Sequence, residues 1–147
     1  MTPAATPRLI HVSTVLAATL ALSACSGSGE DVRVTLCKDM VAVKLAGAGP
    51  VNWTEATTET RGKEYAAVKL SWSGPGGQGT ASCYYSYDAV DDTALALADP
   101  LSPFSTSPSK MLLNGSALSR QDLAETVKQA MLKQGRSLID AGKNALR

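Results

Sequence analysis

The sequence predicts an α+β domain: an N-terminal helix, a three- to four-stranded antiparallel sheet and a long C-terminal helix. Three observations carry this. Apolar groups recur at helical spacing between Asp31 and Ala46, period-two alternation marks segments between Val51 and Asp88, and a long amphipathic stripe follows Ser119. The chain has 147 residues, and the part from 31 to 147 is long enough for one core but short for two domains.

In "DVRVTLCKDMVAVKLA", Val34, Cys37, Val41 and Leu45 fall on one helical face with Leu36 and Met40 beside them. Asp31 suits the N-cap, and "GAGP" from Gly47 to Pro50 stops the helix. Val32, Val34 and Leu36 also alternate, as they would in a strand.

"VNWTEATTE" and "EYAAVKLSW" follow, rich in Thr, Val and aromatic residues, with Arg61 to Lys63 turning the chain between them. In the second, Ala66, Val68, Leu70 and Trp72 alternate with Tyr65, Lys69 and Ser71, the pattern of a half-buried strand. "SGPGGQG", Ser73 to Gly79, reads as a longer loop, and "TASCYYSYD" as the third strand of a meander.

Asp88 to Lys110 reads as an irregular surface connection. Thr93 to Ala98 could form a helical turn, Pro100, Pro103 and Pro108 break the rest, and Phe104 is its expected anchor. Met111 to Leu113 then offers a fourth strand, ended by an Asn114-Gly115 turn. Ser119 suits an N-cap with Asp122 three residues on, and Leu118 can staple against Leu123 across it. The helix predicted from Arg120 to Ala141 carries Leu123, Val127, Ala130, Met131, Gln134 and Leu138 on one stripe and packs on the same sheet face as the first. Gly135 weakens it by roughly 1 kcal/mol relative to Ala.

Residues 1–24 read differently. Arg8 precedes an apolar stretch from about Val12 to Leu22 that is short for a membrane span and of the length of a signal-peptide core. Leu22-Ser23-Ala24-Cys25 resembles the bacterial lipobox. The resemblance implies that the Cys25 thiol takes a diacylglyceryl group, that cleavage occurs before it, and that the new amine receives a fatty acid such as palmitate. Ser26 to Glu30 is then a flexible Gly/Ser tether within 25–30. Ser26 after the cysteine is similar to lipoproteins of the outer membrane in enteric-type bacteria. A Gram-negative source therefore implies an outer-membrane anchor facing the periplasm.

With Cys25 consumed by lipid, Cys37 and Cys83 remain as a pair in an oxidising compartment; the alternative is two buried free thiols. Their pairing requires Cα atoms within about 7 Å, so Cys83 must face the first helix. That turns Ala81, Cys83 and Tyr85 inward and Tyr84 outward, with Tyr87 of inward parity near the strand end.

Losing residues 1–24 removes Arg8 and leaves thirteen cations against thirteen carboxylates. Nothing here is the basic footprint of a nucleic-acid binder. His11, the one histidine, is removed too, and with it the imidazole of a Ser-His or Cys-His pair or of a common zinc site. Asp88, Asp91 and Asp92 lack the donor alternation of a calcium loop, and "GPGGQG" lacks the Lys-Ser/Thr of a phosphate loop. Glu55, Glu59 and Glu64 read as solvated strand carboxylates. Trp72 and Tyr85 are assigned to the core; Tyr84 and Tyr87 are the candidate partner surface.

Neither a catalytic residue nor a metal or cofactor is expected. The functional expectation is a lipid-anchored envelope protein with a non-catalytic binding or structural role. Its partners would be the membrane, through the N-terminus, and an envelope protein, peptide or glycan. The alternative is an exported inhibitor or immunity-type protein that binds a partner enzyme.

Overall fold

The computed structural model describes residues 29–88 and 99–146. Its elements run α1 (Val32–Lys44), β1 (Asn52–Arg61), β2 (Tyr65–Gly74), β3 (Gly77–Ser86), β4 (Lys110–Leu113), β5 (Ser116–Ala117) and α2 (Arg120–Ala145). The fold is α+β, with one short strand more than expected. The sheet is antiparallel in the order β1-β2-β3-β4-β5. The signal segment 1–24, Cys25, Asp91, Asp92 and the Thr93–Ala98 turn lie outside the described residues.

α1 starts where Asp31 accepts from the Arg33 N–H at 2.8 Å, satisfying one of the amides that a first turn leaves without a partner. It buries Val34, Leu36, Cys37, Met40 and Val41. Against them stand Ala66, Val68, Leu70 and Trp72 of β2, Ala81, Cys83 and Tyr85 of β3, and Met111 of β4. Period-two alternation thus places one face of the meander on α1. Ala67, of the opposite parity, is buried as well, between its register partners Glu59 and Tyr84.

The Ser73–Gly79 stretch is not a long loop. β2 runs through Gly74, β3 begins at Gly77, and only Pro75 and Gly76 link the paired Gly74 and Gly77. Glycines here continue the strands, and Gly79 shows why: a Cβ there would overlap the Trp72 ring and Asn114 Oδ1. Asn114 is held in that place by the β4–β5 hairpin, where Asn114 (φ 50°) and Gly115 (φ 81°) make the expected two-residue turn. Its side chain accepts from the Thr80 N–H at 2.9 Å.

β1 contrasts with its neighbours. Every residue from Thr54 to Arg61 is exposed, although Ala56, Thr58 and Thr60 pair with Leu70, Val68 and Ala66 and share their inward parity. Among the described residues no helix covers that part of the sheet.

α2 is four residues longer than predicted and begins at the expected cap, with Ser119 Oγ accepting from the Asp122 N–H at 3.1 Å. Leu118 and Leu123 both pack at the core margin. The helix lies mainly along α1 and meets the sheet at β4, so the predicted stripe does not pack as a whole on the sheet face. Ala130 is fully buried and Leu123 and Val127 are half-buried, but Met131 is 58% and Leu138 75% exposed. The helix outruns the body it packs on, and its C-terminal part has nothing beneath it among the described residues.

Candidate functional site

Tyr84 does turn to the outer face of the sheet, where it is half-buried. Its ring meets Tyr65 edge-on at 5.4 Å, with Lys110 Nζ 5.6 Å from its centroid. Tyr87 lies elsewhere: it bridges to Phe104, and the two rings are 5.4 Å apart. Phe104, 5% exposed, anchors the connection as expected. The two candidate tyrosines therefore pack against different partners and do not build one surface. The carboxylates expected on the strands are exposed, Glu59 of β1 paired with Lys69 at 2.9 Å and Glu64, which lies in the β1–β2 turn, with Arg61 at 3.3 Å. Among the described residues no three His, Cys, Asp or Glu side chains gather as a metal site would require.

Cys37 and Cys83 stand at disulfide distance, 2.02 Å between sulfurs and 6.1 Å between Cα atoms, both fully buried between α1 and β3. Beside them lies a polar cluster the sequence did not announce. Arg33 is 4% exposed; its Nε donates to the Ser105 carbonyl at 3.0 Å, one terminal nitrogen to the Phe104 carbonyl at 2.5 Å, and the other to Asp31 at 3.1 Å. The Tyr85 hydroxyl in turn donates to the Arg33 carbonyl at 2.8 Å. The cluster ties the start of α1 to β3 and to the 99–109 connection. It satisfies its own donors and leaves none directed at a ligand, so its role is structural.

Burial pushes the Tyr85 phenol well above its ordinary 10; the Arg33 guanidinium draws it back and Asp31 adds to the rise. A raised folded-state pKa stabilises the protein fully below the unfolded value and loses that contribution as pH climbs above it. Urea midpoints are therefore expected to hold up to about pH 10 and fall beyond it. Tyr85→Phe, which cannot ionise, should flatten that alkaline limb at a cost of about 1 kcal/mol for the lost hydrogen bond. An equal alkaline decline in the variant would refute the assignment.

A large open concavity lies along α2. Asp39 of α1 fixes the helix's rotation by accepting from Lys133 at 2.9 Å and from Gln134 at 2.8 Å. With 100° per residue, that turns Thr126, Ala130 and Gln134 toward the body. Measured from Ala130, Val127, Met131, Gly135 and Ile139 turn progressively away, from about 60° to about 180°. These apolar residues, with Leu123, Leu132 and the connection's Pro108, line an open groove of about 780 Å³. Met131, Leu132 and Ile139 are 58%, 52% and 59% exposed. Arg120, Lys128 and Arg136 also line it, and no carboxylate does. The volume falls in the range of ligand sites, though the groove is open along its length. In the sequence the signal was present as the stripe after Ser119, but periodicity assigns an apolar face without saying what it meets.

Comparison with known proteins finds no significant match: no family model, no curated protein and no solved structure resembles the chain.

Proposed function

We propose that the protein is an exported, lipid-anchored envelope protein with a non-catalytic binding role, held at the membrane by Cys25. The observation that carries the binding role is the groove along α2. Soluble proteins rarely leave a contiguous apolar face open, and such faces mark sites of interaction. What supports the anchor is the coincidence of signal core, small residues and cysteine at Leu22-Ser23-Ala24-Cys25, followed by a short flexible tether. In a Gram-negative source the anchor would stand in the outer membrane, facing the periplasm.

The anchor is tested by Cys25→Ala expressed in the native host. Metabolic labelling with a fatty acid should be lost and the protein should move toward the soluble fraction. Labelling that survives the substitution overturns the anchor.

A further inference from the structure

We propose that the α2 groove docks on an anionic lipid bilayer, so that the domain lies against the membrane rather than standing off it. Three independent observations point to a lipid surface.

The first is the shape of the amphipathic face. Val127, Met131, Gly135 and Ile139 fall within one third of the helix circumference, an arc that also carries Arg120 and Lys128, and the face continues past the end of the body on which α2 packs. An apolar face of this kind, flanked by cations, lies in the headgroup region with its apolar side chains toward the acyl chains.

The second is charge. Arg120 and Arg136 have no ion-pair partner among the described residues, and Lys128 shares only an exposed contact with Glu125 at 3.4 Å. Glu125, which reaches Lys128, does not itself line the groove, and by helical phase Asp140 points to the opposite half of the helix. The mature chain is near neutral as a whole, so the cations beside the groove are a local asymmetry that favours anionic headgroups.

The third is where the chain enters the domain. Glu30 and Val32 share a surface depression with Gln134, Ser137 and Leu138, so the tether leaves beside the projecting part of α2. Glu30 stands five positions after Cys25, a reach of about 17 Å when extended. An anchor at Cys25 therefore holds the exposed face close to the bilayer and makes its docking effectively intramolecular. This last argument rests on the lipid anchor; the first two do not.

The test uses Ile139→Trp, read against the parent chain for the background of Trp53 and Trp72. Two forms are compared: the lipidated protein reconstituted into vesicles, and a chain beginning at Ser26, which contains every residue of the core described above. Vesicles are phosphatidylcholine alone or with phosphatidylglycerol, and carry brominated acyl chains. Docking predicts that the introduced indole shifts to the blue and is quenched by bromine in phosphatidylglycerol vesicles, and that 0.5 M salt weakens binding of the Ser26 chain. Replacing Arg120, Lys128 and Arg136 together by Gln should weaken that binding on the order of 100-fold, with α2 helicity by circular dichroism unchanged.

A lipidated protein that stays with vesicles while the indole remains unquenched overturns docking and leaves the anchor standing. A Ser26 chain that binds anionic vesicles while the native protein carries no lipid supports docking and overturns the anchor. Blue emission already present in buffer and unaltered by vesicles means the groove is filled by residues 89–98 of the same chain or by a second copy, and overturns docking. Equal affinity for both vesicle types does the same.

Discussion

Replacing Cys37 and Cys83 together by alanine is expected to cost about 4 kcal/mol of unfolding free energy. The cysteines are 46 residues apart, and closing a loop of that length removes about this much entropy from the unfolded chain in the chain-entropy model. Against the roughly 5–15 kcal/mol that holds a small domain folded, such a loss is a large share. The mechanism acts on the unfolded state, which predicts a second signature. The unbridged chain expands further on unfolding, so the slope of stability against urea should rise as the midpoint falls. Both sulfurs are fully buried, so reductant should act on the parent only as fast as the fold opens. A double variant within about 1 kcal/mol of the parent would show that the pair carries no bridge in the protein.

Substituting Arg33 by leucine is expected to cost about 3 kcal/mol. Leucine fills part of the same volume but leaves the Phe104 and Ser105 carbonyls without the guanidinium and Asp31 without its ion partner. Removing one member of a buried pair is costly because the other stays behind. Asp31 retains 24% side-chain exposure and can regain some hydration, which holds the loss near the lower end. Lysine should recover only part of it, since a single ammonium cannot reproduce a planar fork aimed at three acceptors. Limited proteolysis should cut the Asp99–Ser109 connection sooner in Arg33→Leu than in the parent. Equal cutting and unchanged urea midpoints would remove Arg33 from its place as the tie between α1 and that connection.

What was legible in the sequence were features set by neighbours along the chain. The Ser119 cap, the Asn114-Gly115 turn and the alternation in β2 and β3 each depend on a few adjacent residues, and each stands where expected. The Ser73–Gly79 stretch misled because glycine marks both loops and places where a strand must pass close to something bulky. Here Trp72 and Asn114, the latter from a distant hairpin, decide in favour of the strand. Arg33 gave no signal, because its acceptors lie 71 and 72 residues away. The stripe on α2 was visible, yet which part of it would be covered depended on Asp39 and on where the body ends.

β1 carries one more consequence. A ten-residue strand that pairs on one side only among the described residues offers a second side on which any extended peptide could lengthen the sheet. An unguarded border would let molecules join edge to edge and polymerise into ribbons. Glu55, Glu59 and Arg61 along that border, with the irregularity between Trp53 and Glu55 that breaks its straightness, are the kind of features that keep crowded neighbours from stitching together.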